Sequence, residues 1–297
     1  MLKFQIAVMA PFTDQTDSPG TVASMAERCG FDMLCMGEHP FYPVQMNTPY
    51  PAGGQPPRWY QSIADLFVVM AMAAQATATL RVASTVCLVP ERNPILLAKA
   101  AATLDHFSGG RLTLGVGTGW LREEYEILGA DFDHRWEVLH ESVAAMKEMW
   151  TRPEAEFSGR WVSFPPIRVN PKPAQKPHLP VIICAGQARK YTRSLRYTVS
   201  VGDGWMPLFW DAGRQLALFA DSVAMLRRMC DEAGRDFAQL HVVPAILAAA
   251  EGGVDLLRRY RDAGATGVAL MTAGLIRKGR TGDVLGPIAD RFVGRLD

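Results

Sequence analysis

Eight short apolar runs alternate with eight longer amphipathic stretches along this chain, and few architectures accept that rhythm. The runs lie at residues 4–9, 32–36, 81–88, 111–116, 181–185, 204–207, 240–247 and 267–272. Most are near-continuous in Val, Ile, Leu, Met and Ala, as parallel strands covered on both faces require. Helical spacing occupies 21–29, 63–78, 95–106, 136–150, 190–200, 213–233, 253–262 and 283–296. Asn93-Pro94 opens the third helix and Ser108-Gly109-Gly110 stops it, with proline tolerated in a first turn and glycine supplying a left-handed cap. Strand–helix alternation repeated eight times, each crossover right-handed, predicts an α/β fold, the closed (β/α)₈ TIM barrel. A doubly wound open sheet is the rival. It would place its phosphate loop after the first strand, where this chain has Ala10-Pro11-Phe12-Thr13-Asp14 and no glycine turn.

A barrel of about 250 residues with two insertions accounts for the length, so one domain over residues 1–297 is expected. The insertion after strand two, residues 40–60, is rich in Pro, Gly and aromatics; so long a connection reads as a lid over a site. The insertion after helix four, residues 154–179, reads as a hairpin at 157–162 followed by a proline-spaced strap. Because it follows a helix, it should enter the next strand from the N-terminal side, away from the chemistry.

Basic and acidic residues nearly balance, 31 against 30, without the basic stripe of a nucleic-acid binder. The densest cationic cluster, residues 189–196, reads as a solvated helix face, with an anionic cofactor tail as the competing use. Five cysteines without a C-x-x-C pair suit free thiols in a reducing compartment, and neither a disulfide framework nor a metal site is expected. No apolar run reaches membrane-spanning length and no cleavable leader is evident, so a cytoplasmic protein is expected.

Barrel enzymes work at the C-terminal ends of their strands. That rule selects Glu38 and His39 after strand two, residues 89–92 after strand three, 117–124 after strand four, 186–188 after strand five and 207–211 after strand six. An imidazole at this position, His39, suits proton transfer, with Glu38 as the neighbour that orients it. Gly115-Val116-Gly117-Thr118-Gly119-Trp120 ends a strand and leads into a helix. Backbone N–H groups there can cradle an anion, although ordinary tight turns use the same residues. Ala185-Gly186-Gln187 is a second turn of this kind.

The run Val89-Pro90-Glu91-Arg92-Asn93-Pro94, then Thr103 to Arg111 (TLDHFSGGR), then Leu114 to Trp120 (LGVGTGW) resembles the bacterial luciferase-like family, particularly its branch using the deazaflavin coenzyme F420. Gly37-Glu38-His39, Ala185-Gly186 and Gly202 to Pro207 (GDGWMP) occur in the expected order. The resemblance implies a flavin-type ring in the barrel mouth, supported by a bulge with a non-prolyl cis peptide, here Thr85-Val86. It also implies cofactor phosphate on Gly117, Thr118 and Gly119 and on Ala185, Gly186 and Gln187, with Glu38 and His39 close to the reactive ring. Two positions depart from the sugar-phosphate dehydrogenases of that branch: Pro43 and Trp120 stand where those enzymes carry a tryptophan and a glutamate. A less polar substrate pocket follows, shaped by Trp120, Trp59, Tyr60, Phe209 and Trp210.

The reading is hydride transfer between coenzyme F420 and a small organic substrate with a C=C, C=N or C=O bond. FMN with oxygen, as in a luciferase-like monooxygenase, is the alternative, and a non-catalytic flavin-binding protein the minor one. Small-residue runs at 68–74 and 96–102 suggest a homodimer through the second and third helices, close packing within the monomer being the other explanation.

Overall fold

The computed structural model describes residues 4–186, 190–249, 251–272 and 274–296. In chain order the described elements are β1 (Gln5–Met9), α1 (Pro19–Arg28), β2 (Met33–Met36), α2 (Leu66–Gln75), β3 (Arg81–Ser84), β4 (Cys87–Leu88), α3 (Pro94–Phe107), β5 (Leu112–Gly117), α4 (Arg122–Leu128), α5 (Arg135–Thr151), β6 (Ala155–Ser158), β7 (Ser163–Ile167), β8 (Val181–Ala185), α6 (Thr192–Ser200), β9 (Gly204–Phe209), α7 (Ala212–Glu232), β10 (His241–Val242), β11 (Ala245–Leu247), α8 (Gly253–Asp262), β12 (Gly267–Met271) and α9 (Thr281–Phe292). Around the sheet the order is β1, β2, β3, β5, β8, β9, β11, β12 and back to β1, every pairing parallel. This is the closed (β/α)₈ barrel the alternation predicts.

Two apolar runs are split. Residues 81–88 form β3 and β4, with the cis peptide Thr85-Val86 between them. Residues 240–247 form β10 and β11 around Pro244, which has no N–H for the ladder. Helix starts follow their caps. α1 begins at Pro19, two residues before its apolar spacing, because the Ser18 side chain accepts the Thr21 N–H. α2 begins only at Leu66, behind Asp65. Asn93 caps α3 through the N–H groups of Ile95 and Leu96.

Side chains alternate across each strand, which separates two apolar layers. Ala7, Cys35, Ala83, Ile182, Cys184, Met206 and Ala269 fill the barrel interior. Val8, Leu34, Val82, Leu114, Ile183, Trp205 and Leu270 face the helices. The second insertion is the antiparallel pair β6 and β7 followed by a strap. Gln175 of the strap reaches Asp105 and Arg81 at the N-terminal mouth, and the Pro180 carbonyl accepts from Leu114. The strap therefore lies at the N-terminal end of the barrel, as its place after a helix requires.

Candidate active site

A cavity of about 260 Å³ opens at the C-terminal ends of the strands. Its floor and walls are largely apolar, including Met9, Val86, Leu88, Met206 and Leu208. The residues 40–60 loop covers it with Tyr50, Pro51, Ala52, Trp59 and Tyr60. Glu123, in the first turn of α4, fastens that loop by accepting from the N–H groups of Asn47 and Thr48 and from the Thr48 hydroxyl. These bonds outweigh desolvation and draw the Glu123 carboxyl down to about 2.

The aromatic groups form one connected set. Trp59 stacks on Tyr60 with ring centres 4.2 Å apart, Tyr60 lies 5.0 Å from His39, and Tyr50 meets Trp120 edge-on at 5.6 Å. Trp59, Tyr60, Trp120 and Trp210 all line the cavity. Phe209 does not, contrary to the sequence expectation. It is fully buried outside the barrel among Tyr191, Phe219 and Tyr260. Strand alternation explains the pair: along β9 Met206 and Leu208 face the cavity with Trp210, so Phe209 must face away.

His39 lines the cavity, but Glu38 is not its partner. Glu38 lines the cavity too, yet its carboxylate takes a two-pronged ion pair from Arg92 and accepts the N–H of Leu88 at 2.6 Å. It ties the end of β2 to the turn after β4. The group that holds His39 is Glu124: its Oε1 lies 2.7 Å from His39 Nδ1. Glu124 has no exposed surface, so the imidazole and the carboxylate meet where water does not screen them. The 117–124 stretch was selected by position, yet nothing in its spacing singled out Glu124 across 85 residues. The available signal was the doublet Glu123-Glu124 opening a helix. One member fastens the lid and the other turns into the barrel.

The glycine run divides by role. A Cβ on Gly115 would fall 2.1 Å from the Ser84 carbonyl oxygen, so this glycine lets the barrel wall close and does not line the cavity. A Cβ on Gly117 would fall 2.9 Å from Val86 Cγ2, so it makes room for the bulge. Gly119 turns the chain at φ +62°. Gly117, Thr118 and Gly119 line the cavity beside Ala185 and Gly186, since β5 and β8 are paired, and none of the described residues lies within 4 Å of a Cβ built on Gly186. Tyr125 donates its hydroxyl to the Thr118 carbonyl and fixes the turn from behind. Gln187 lies outside the described residues. In the cationic cluster Arg193 and Arg196 are solvent-exposed.

Thr85 and Val86 also line the cavity, and the buried Thr85 Oγ1 has no hydrogen-bond partner among the described residues. An apolar slot with one unmet hydroxyl at a strand bulge and two open backbone turns at its rim suits a flat, hydrogen-bonding ring with an anionic tail.

The profile of the family described as luciferase-like monooxygenase matches residues 8–278. The chain belongs to that family. Its members are oxidoreductases and monooxygenases. An uncharacterised protein of Mycobacterium tuberculosis is 34% identical over 260 residues, covering 86% of this chain and 87% of that protein. Among solved structures, the monooxygenase RslO1 from Streptomyces bottropensis superposes with a TM-score of 0.79 at 17% identity, over 99% of this chain and 100% of that one. An F420-dependent secondary alcohol dehydrogenase in complex with an F420–acetone adduct superposes at 0.76 and 16% identity, over all of both chains. At such identities the likeness speaks for the luciferase-like barrel fold alone. Among the described residues no helix is long and apolar enough to cross a membrane.

Proposed function

We propose that this chain is an F420-dependent oxidoreductase moving a hydride to or from a small, weakly polar organic substrate with a C=C, C=N or C=O bond. One observation carries the reading: His39, at the wall of an apolar cavity, is bound through Nδ1 to the fully buried Glu124. With Nδ1–H given to the carboxylate, Nε2 is the position that accepts or gives a proton. Hydride transfer to a C=X bond needs such a proton at the neighbouring atom.

The bound deazaflavin would supply or accept the hydride. Thr85 Oγ1 and the Thr85-Val86 bulge would hold its ring. The backbone of Gly117, Thr118 and Gly119 and of Ala185 and Gly186 would hold its phosphate, with Gln187 as the further family position. Trp59, Tyr60, Trp120 and Trp210 exclude water and leave the substrate a mostly aromatic surround. Glu38 acts at one remove, by holding the turn after β4 through Arg92. His39→Ala should lower turnover by about 10²–10⁴-fold and spare cofactor affinity. Undiminished turnover across the pH range would remove His39 from the mechanism.

FMN with oxygen is the second reading, favoured by the family's description. The small-residue helices support a homodimer: α2 exposes Val68 and Met72, and α3 exposes Leu96 and Phe107. A reducing cytoplasm suits the five free cysteines.

A further inference from the structure

Beside Gly119 lies a buried carboxyl that the proposed chemistry does not use. Glu91 closes the one-turn 3₁₀ helix Val89–Glu91, and both of its carboxyl oxygens are shut off from solvent with no hydrogen bond among the described residues. The group lies beneath the glycine turn, with Oε1 3.5 Å from where a Gly119 Cβ would stand.

The charged and titratable groups around it come from several elements. Arg92 is next in sequence, but its guanidinium is spent on Glu38 at the end of β2. Glu124 and Tyr125 face it from α4, and Cys87 from β4, where burial lifts the thiol far above its usual range. Burial first, then the charges of Glu124 and Glu38, push the Glu91 carboxyl up to about 9 against the pull of Arg92. At neutral pH it is un-ionised and has one O–H to give. Glu124 has one oxygen left to receive it: Oε1 is taken by His39, and Oε2 is buried without a partner among the described residues. A buried unmet donor and a buried unmet acceptor on packed neighbours each carry a desolvation penalty that their meeting removes.

We propose that Glu91 is a positioning residue for His39, its carboxylic acid O–H serving Glu124 Oε2, directly or through one water, so that the Glu124 carboxylate holds the imidazole in one orientation. The proposal rests on the reading of His39 as the proton-handling group. No proton leaves Glu91 during turnover. Ionising Glu91 removes the donor and adds a second negative charge near that of Glu124.

Two readouts need no cofactor. Infrared spectra of the wild type should contain the carbonyl band of an un-ionised carboxylic acid at neutral pH, lost as pH rises through about 9 and absent from Glu91→Gln. His39 ring resonances should shift at that same step in the wild type and not in Glu91→Gln. In turnover, Glu91→Leu fills the space without a donor and should lower kcat by about tenfold or more with KM unchanged. Glu91→Gln keeps an N–H donor, so it should retain kcat and hold it under alkaline conditions where the wild type declines. Absence of the acid band, His39 resonances blind to the step, or a fully active Glu91→Leu would each overturn the proposal. Failure to find hydride transfer would count against the proposed function instead, and the infrared and resonance results would still decide on Glu91.

Discussion

Glu91→Gln should also flatten the pH dependence of stability on the alkaline side. Folding moves this carboxyl from 4.5 up to about 9. Between those values the folded chain keeps a proton that the unfolded chain releases. Stability therefore falls as pH rises, by about 1.4 kcal/mol per pH unit. By neutral pH the accumulated cost is about 3 kcal/mol, a large share of the roughly 5–15 kcal/mol that separates folded from unfolded protein. Below the lower value both states are protonated and the cost vanishes; above the upper one both are ionised and it stays constant. Glutamine never titrates, but its amide needs partners of its own, worth about 1–3 kcal/mol if unmet. The slope, not the offset, is thus diagnostic. Urea unfolding followed by tryptophan fluorescence, from about pH 5 to about pH 9 in both proteins, measures it. The variant's stability relative to wild type should climb by about 1 kcal/mol or more per pH unit. Parallel curves would refute the reasoning, because they would mean that Glu91 is ionised in the folded protein.

Gly115→Ala puts a methyl 2.1 Å from the backbone oxygen of Ser84, a clash no rotamer relieves; it should destabilise by at least about 3 kcal/mol, read as a lower unfolding midpoint or loss of soluble protein. Glu123→Ala releases Asn47 and Thr48, so protease cleavage within residues 40–60 should accelerate, KM should rise, and the unfolding midpoint should fall modestly. Because the Glu123 carboxyl is held low, its clamp is complete above the ordinary carboxylate range and is lost as pH falls toward about 2.

Much of this barrel was legible in the chain because parallel strands covered on both faces leave continuous apolar runs and the crossovers carry their own caps. What escaped was the interior of those runs. The interruptions at Thr85-Val86 and Pro244 lie inside stretches whose hydrophobicity does not change. The face of a strand residue flips at every step, so Phe209 and Trp210 read alike in sequence and separate completely in space. Glu38 and His39, side by side in the chain and both at the cavity, serve different partners. Glu124 and Glu91 were out of reach for another reason. Their roles depend on which carboxyl meets which partner across long sequence distances, and acidic residues near a glycine turn usually mean only a solvated helix start. The glycine run was visible, but only contact distances sort Gly115 and Gly117, which admit neighbouring backbone and the bulge, from Gly119, which turns the chain at the cavity rim.

The most direct test of the central claim is titration of the purified protein with coenzyme F420 and with FMN, with turnover followed in the presence and absence of oxygen. The account predicts tighter binding of the deazaflavin and hydride transfer that proceeds without oxygen. Tighter FMN binding with turnover that requires oxygen would contradict it.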